Sequence, residues 1–401
     1  MPTLSNRASF WTAASVVAIA LWASGAPSIV YPVYVAEWHI TPLVITSIFA
    51  VYPITLVVVL IVFGGISDYV GRRAVLLAGL AAMAVGILLF AVAPSIGWLY
   101  AGRVLQGIGV GLAMAPASAA MVEFSSGAGA ARASSINTAS TAVGLALATI
   151  VGGALVQYAP LPSHLAYWVL LVLTAVAIGF VIAMPRRTAG TITSERWHPR
   201  GIAVPRGLVA IFVTASLAIA AGFAMGSMFL SLGSSIAKNL IRTDNALLAG
   251  GVIAISAVFI GTSAILGRRL APRTAVTVGG VSTAVGMGLL VLSAATASLP
   301  VFVAASVVAG TGYGLLYLGG LGLVNRHAPI HHRAQTLSAA YLIAYLTQGL
   351  VAVAIGLSAT ATGLALAVDL WAPIIAALCV AASVVAIVTA RRARVPATAQ
   401  A

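Results

Sequence analysis

The chain has 401 residues, 61% of them hydrophobic and only 6% charged, against about 25% charged in a soluble domain, which excludes a water-soluble protein with an ordinary polar surface. The net charge of +14 is spread as single or paired residues between apolar runs, without the aromatic-interleaved basic clusters of a nucleic-acid binder, so it reads as topological signalling. One cysteine, Cys379 in an apolar run, excludes a disulfide framework within the chain.

A bilayer-spanning helix needs about 20 mainly apolar residues. The sequence offers such runs in order at Trp11–Tyr34, Leu43–Ile66, Ala74–Ala93, Gly97–Val122, Ala133–Tyr158 and Leu165–Met184 (spans 1 to 6). After a polar stretch come Gly207–Leu232, Ala246–Leu266, Thr274–Ala294, Pro300–Val324, Ala334–Leu357 and Val368–Thr389 (spans 7 to 12). The short polar segment Met1 to Phe10 lacks a cleavage pattern, so span 1 is read as a retained helix. The length leaves no room for a soluble domain of ordinary size.

Basic residues fix the orientation. With the first residue in the cytoplasm, the inner segments hold Arg7, Arg72, Arg73, Arg132, Arg186, Arg187, Arg196, Arg200, Arg206, Arg268, Arg269, Arg273, Arg326, Arg333, Arg391, Arg392 and Arg394. The outer segments hold only Lys238 and Arg242. This asymmetry predicts both termini on the cytoplasmic side of a bacterial inner membrane, and an even number of spans.

The stretch 185–206 reads as a cytoplasmic linker between two halves, 1–184 and 207–401. The halves repeat one another. Gly107-Ile108-Gly109-Val110-Gly111 in span 4 returns as Gly310-Thr311-Gly312-Tyr313-Gly314 in span 10. Arg132-Ala133 returns as Arg333-Ala334, and Gly79 as Gly279 or Gly280. Near-constant offsets predict two parallel repeats about an axis along the membrane normal.

The most specific motif joins spans 2 and 3: Gly64-Gly65-Ile66-Ser67-Asp68-Tyr69-Val70-Gly71-Arg72-Arg73. Gly71 allows a tight turn, and the two arginines stay on the inner face. This run resembles the signature loop of the major facilitator superfamily, Gly-x-x-x-Asp-x-x-Gly-Arg-Arg/Lys. The resemblance implies an all-α membrane protein of two pseudo-symmetric six-helix bundles, working as a secondary transporter. It also implies a conformational latch. Asp68 would dock near the start of span 11, around Ala334 to Leu337, at the positive end of a helix dipole, and Arg72 would pair with Glu123. In the second half, Arg268 takes the Asp position, which makes the latch one-sided. The alternative is a loop that only fixes topology.

Arg103-Val104-Leu105-Gln106-Gly107 in span 4 resembles the family's Arg-x-x-Gln-Gly element, linked to proton coupling. Arg103 is the only basic residue well inside a span, and such a charge costs about 2.5–3.5 kcal/mol on insertion scales. It should face the bundle interior with Gln106 one turn on, or else snorkel to the outer interface. Span 5 carries half of the family's antiporter signature. Gly144, Gly152 and Gly153 are present, but Ala148 and Thr149 stand where Gly-Pro is expected, so small-residue packing explains it as well.

By family analogy the cavity is walled by spans 1, 4, 7 and 10, with 5 and 11 beside them. Candidate lining residues are Tyr31 between Pro27 and Pro32, Asn137, Met225 with Met228 and Phe229, Tyr313 and Tyr317, and Tyr341, Tyr345 and Gln348 on one face of span 11. Ordinary interhelical packing is the competing reading for each.

The six histidines, 39, 164, 198, 327, 331 and 332, fall in loops or at span ends, so no metal site is expected. Neither paired carboxylates nor an acid-histidine cluster lies in any span, which argues against an enzyme. The glycine run of span 4 lacks a Lys-Ser/Thr ending and is no phosphate loop. No cofactor is therefore expected, and a proton gradient is the expected energy source. Yet Glu37 and Asp244 lie in outer loops, and Asp369 reads as a cap of span 12, leaving no interior acid to carry the proton.

The expected function is proton-linked efflux of a small drug-like or metabolite solute, neutral or anionic because Arg103 has no interior acid beside it. An uptake carrier or facilitator is the alternative, with a transporter-like sensor behind it. The expected partners are a solute and the lipid bilayer, without nucleic acid, for a chain working as a monomer.

Overall fold

The computed structural model describes residues 3–125, 129–185 and 206–392, with the side chains of 129–131, 206, 330–334 and 390–392 outside that description. The linker 185–206 therefore lies almost wholly outside the described residues, as do His198 and the side chains of His331 and His332. Among the described residues there are helices and turns but no strand, and twelve helices are long and apolar enough to cross a membrane. Helix is the outcome because lipid offers backbone groups no partner, so each span must satisfy its own.

Span 1 is longer than its apolar run. It is built from Asn6–Gly25 and Pro27–Trp38, meeting at Ala26, which keeps a helical backbone. Pro27 opens the second segment, where its missing N–H costs least. Span 7 runs over Val209–Asn239, carrying Lys238 in its last turn. Spans 11 and 12, Ile330–Thr362 and Leu364–Arg392, are joined by Gly363 alone at φ 93. Asp369 therefore sits inside span 12 and does not cap it; a single left-handed glycine leaves no loop for a capping acid.

The arginine-bearing loop between spans 2 and 3 folds as the glycines allow. Span 2, Pro42–Phe63, gives way to a short helical turn, Ser67–Val70, and Gly71 at φ 94 reverses the chain into span 3, Arg72–Ala91. That left-handed conformation favours glycine.

The buried residues gather into two cores. One runs from Phe10 to Met184 and takes in Ala352 of span 11, and the other runs from Ala215 to Ala386. The pattern of buried, half-buried and exposed positions over 72–90 returns unchanged over 272–290. The glycine runs explain how. In span 4, Ile96–Glu123, Gly107 and Gly111 face span 2 while Gly109 faces span 3; a Cβ on Gly109 would lie 2.7 Å from Gly79 O. In span 10, Leu299–His327, Gly310 and Gly314 face span 8 (Ala246–Leu266), while Gly312 faces span 9 (Pro272–Thr296); a Cβ on Gly312 would lie 2.6 Å from Gly279 O. Small residues let the backbones touch where lipid supplies no hydrophobic drive.

The halves meet along two seams, span 2 against span 11 and span 5 (Gly129–Tyr158) against span 8. At the ends away from the arginine-rich loops, hydrogen bonds cross the seams. Leu43 N donates to Thr360 Oγ1 at 2.9 Å, Ala246 N to Gln157 Oε1 at 2.7 Å, and Ser234 Oγ of span 7 to Ser28 O of span 1 at 2.5 Å. The remaining perimeter is apolar and exposed, with Val58, Val85, Val172, Phe180, Leu350 and Val384 among its residues. Such a surface suits lipid.

Candidate functional site

Arg103 is fully buried in the first half. Its Nη1 donates to Ser24 O at 2.9 Å and to Gln106 Oε1 at 3.1 Å, and its Nη2 to the Tyr31 hydroxyl at 2.7 Å. The guanidinium lies 5.6 Å over the Tyr52 ring and 5.9 Å over Phe90. Desolvated cation–π contacts of this kind are worth about 2 kcal/mol at best, which offsets part of the burial cost. Arg103 Nε and Gln106 Nε2 are buried and have no hydrogen-bond partner. Neither of the two ion pairs among the described residues involves Arg103. Among the described residues the charge thus stands inside the first half without a counter-ion, and it does not snorkel to an interface.

The elements explain the placement. Pro27 and Pro32 flank Tyr31 in span 1, whose hydroxyl reaches Arg103 in the interior. Gly102 and Gly86 let spans 3 and 4 close up: a Cβ on Gly102 would meet Phe90 at 2.7 Å. Gly107, one turn after Arg103, brings the Tyr52 backbone near, its absent Cβ 2.8 Å from Tyr52 O.

The second half presents rings instead. Phe223, Tyr313, Tyr317, Tyr341 and Tyr345 form one cluster. Phe223 meets Tyr345 edge-on at 4.9 Å and Tyr313 at 5.8 Å; Tyr341 stacks on Tyr345 at 6.3 Å. The hydroxyls of Tyr317 and Tyr341 bond at 2.9 Å. All four tyrosines are half-buried. On span 11 the lipid-type stripe is Ile343, Leu346, Leu350 and Leu357, and at 100° per residue Tyr341 and Tyr345 lie on the opposite side. Their free surface therefore faces the protein interior. Gly222 and Gly226 of span 7 seat Tyr313; a Cβ on Gly222 would lie 2.7 Å from its ring. Tyr345 also packs against the first half's core, and Gln348 O accepts from Ser227 Oγ at 2.8 Å.

Two lining candidates stand elsewhere. Met225 is buried with Met228 and Phe229 in the second half's own core, Phe229 stacking on Phe302 at 6.1 Å. Asn137 faces span 4, its Oδ1 accepting from Ser118 Oγ at 2.9 Å.

At the loop between spans 2 and 3, Arg72 Nε donates to Glu123 Oε1 at 2.5 Å, with both side chains 21% exposed. Arg72 Nη1 lies 3.9 Å from Asp68 Oδ1, and Arg73 Nη1 donates to Met184 O at 3.0 Å. Gly64 stands where a Cβ would strike Leu60 O. The side chain of Ala334, at the expected docking place of Asp68, lies outside the described residues.

A family model, Major Facilitator Superfamily, matches residues 13–352. The chain belongs to the major facilitator superfamily. Two solved superfamily-like structures share its fold. One is the nucleoside transporter NupG, with a TM-score of 0.74, 13% identity, and coverage of 94% of this chain and 98% of that one. The other is a POT family transporter in complex with 5-aminolevulinic acid, with a TM-score of 0.74, 12% identity, and coverage of 96% of each chain. No curated protein matches the chain. Family and fold are those of transporters of a small solute across a membrane. The superfamily fold calls for no cofactor, and no group of three His, Cys, Asp or Glu gathers among the described residues.

For this superfamily member, the half-signature on span 5 is occupied by packing. A Cβ on Gly144 would strike Ala18 O of span 1, and one on Gly153 would lie 2.7 Å from Ala246 O of span 8. Ala148 lies against Gly25. Tyr52, Phe90, Ser24 and Phe223 are contacts that the sequence reading missed. Phe223 carried a signal in its flanking Gly222 and Gly226, whereas Tyr52 and Phe90 carried none, because cross-span contacts depend on helix rotation.

Proposed function

We propose that this superfamily member exports a small neutral or anionic organic solute by alternating access, drawing on a proton gradient. The observation that carries the substrate part is the buried Arg103, which has no counter-ion among the described residues. In a low-dielectric interior an uncompensated guanidinium repels organic cations strongly and favours anions. The chain works as a monomer in a bacterial inner membrane, with both termini cytoplasmic, and the arginine asymmetry supports that orientation. The stretch 185–206 joins the two rocking halves. Gly64, Asp68, Gly71, Arg72, Arg73 and Glu123 form the inner latch, supported by the Arg72–Glu123 contact. Tyr31, Arg103 and Gln106 are the coupling side of the cavity, and the tyrosine cluster is its opposite wall.

A second reading, an uptake carrier or facilitator, is favoured by Ala148-Thr149 in place of Gly-Pro and by the absence, among the described residues, of an acid paired with Arg103. Tracer flux in proteoliposomes with and without a pH gradient separates the two. Accumulation driven by the gradient is expected for coupled export. Equal flux in both conditions favours the facilitator, and absence of flux for every organic solute tried overturns transport.

A further inference from the structure

The two walls of the site differ in chemistry, and together they specify a solute more narrowly than its charge alone. Between them stands Tyr52. Its ring lies under the Arg103 guanidinium at 5.6 Å, and Tyr345 of the second half packs against the first half's core, to which Tyr52 belongs. Tyr52 thus links Arg103 to the core on which the tyrosine cluster packs, at the boundary between the two halves.

From this we infer that the solute is a planar aromatic anion, an inference that rests on the transport reading above and narrows its substrate class. The ring sits against Tyr341 and Tyr345, whose free surfaces face the interior, with Phe223 and Tyr313 packed in the same cluster. The pairs Phe223–Tyr345, Phe223–Tyr313 and Tyr341–Tyr345, at 4.9, 5.8 and 6.3 Å, present faces and edges for offset and edge-on contact, the arrangement aromatic pairs prefer. An aliphatic chain would gain apolar contact there but not the ring geometry.

The acid group is chosen by Arg103 and Gln106. Arg103 Nε and Gln106 Nε2 are two buried donors with no acceptor, and leaving such groups unpaired is costly. All six acids of the chain are accounted for elsewhere in the sequence: Glu37, Asp68, Glu123, Glu195, Asp244 and Asp369. The counter-ion that the site lacks is one the solute supplies. Direct bonding requires the Tyr52 ring, which covers the guanidinium, to turn aside. With Tyr52 in place, the charge still acts on the tyrosine cluster as a field.

The test uses the purified full chain in detergent and three probes: naphthalenesulfonate, methylquinolinium of similar two-ring size but opposite charge, and hexanesulfonate, an anion without a ring. Binding is read by isothermal titration and by shift of the melting temperature. Naphthalenesulfonate is expected to bind at least about tenfold more tightly than either of the others. Tyr345→Ala is expected to lose about tenfold in affinity and Tyr345→Phe to keep most of it. Arg103→Gln is expected to abolish the preference for the anionic ring. Arg103 is built into the first half's core, so if that variant fails to fold, the Tyr345 pair and the three probes still decide. Equal binding of methylquinolinium or hexanesulfonate, or no binding of naphthalenesulfonate to the wild type, overturns the inference. Proteoliposome flux separates the two readings: binding without transport upholds the site and sinks the transporter, whereas transport of another solute class without naphthalenesulfonate binding does the reverse.

Discussion

The two halves share a packing plan and differ in what they place at equivalent points. Between Gly107 and Gly310 the offset is 203. At that offset Arg103 corresponds to Ser306, Gln106 to Ala309, Val110 to Tyr313 and Met114 to Tyr317. Both Arg103 and Ser306 are fully buried, but one is a cation held by three hydrogen bonds and the other a small hydroxyl with no partner. Conversely, the rings of the second half replace an aliphatic and a thioether side chain in the first. Glycines that let backbones touch keep their places, because helix packing in lipid depends on them. The residues between those glycines are free to diverge, and there a duplicated scaffold acquires one polar wall and one aromatic wall.

The largest effect is expected where the comparison is most unequal. Arg103→Ala leaves Tyr31, Ser24 O and Gln106 without a partner and removes the central charge. Solute flux in proteoliposomes is expected to fall about hundredfold or more. Arg103→Lys keeps the charge but not the planar fork and should recover only a part of it. Ser306→Ala at the equivalent point is expected to change flux less than twofold and stability by about 0.5 kcal/mol or less. A large loss from Ser306→Ala would show that the second half carries a polar function that its contacts do not reveal.

Gly109 and Gly312 sharpen the same comparison from the packing side. An added side chain at either would press on backbone, Gly79 O at 2.7 Å and Gly279 O at 2.6 Å, which cannot move aside as a flexible side chain can. Gly109→Val and Gly312→Val are each expected to cost about 1–3 kcal/mol, seen as similar drops in melting temperature. Markedly unequal drops would mean that the two halves are not packed alike.

Much of this scaffold could be read from sequence because lipid simplifies the code. The twelve apolar runs, the glycine repeat and the turn at Gly71 each follow from a single local requirement. Contacts between spans do not. Met225, Tyr313 and Tyr341 all lie in apolar runs, and only helix rotation decides that Met225 joins Phe229 in the core while the tyrosines face inward. Asp369 read as a cap because its apolar run begins at Val368, but the helix starts at Leu364, where Gly363 turns the chain. The resemblance pointed from Arg72 to Glu123, and those side chains meet, although the latch they would form stays a proposal.

A smaller change probes the aromatic wall alone. Gly222→Ala puts a methyl group 2.7 Å from the Tyr313 ring, and the ring can shift in response. Flux is expected to fall about tenfold, while the melting temperature drops by less than for Gly109→Val. Tyr341→Phe removes only the 2.9 Å hydroxyl contact with Tyr317, worth about 1 kcal/mol, and flux should fall no more than about fivefold. If Tyr341→Phe were the more damaging of the two, the hydroxyls rather than the rings would be what the cluster contributes.

The smallest expected effect lies at the arginine-rich loops, where the halves again differ. The first half pairs Arg72 with Glu123, whereas among the described residues Arg268 of the second donates to Ser135 Oγ at 3.3 Å and pairs with no acid. Both members of the first pair are 21% exposed, so solvent screening holds the pair to about 1 kcal/mol or less. Arg72→Glu or Glu123→Arg alone should lower the melting temperature by a few degrees and leave two like charges in contact. Combining them restores the pair in reverse, and most of the loss should be recovered, since neighbouring charges couple in a double-mutant cycle. Glu123 Oε2 is buried without a partner, so the reversed pair inherits an imperfect pocket and recovery should fall short of complete. Raising the salt concentration should shrink the difference between single and double variants. Arg268→Ala, which removes no ion pair, should change neither stability nor its salt dependence, and an effect there as large as at Arg72 would mean that both halves carry a latch.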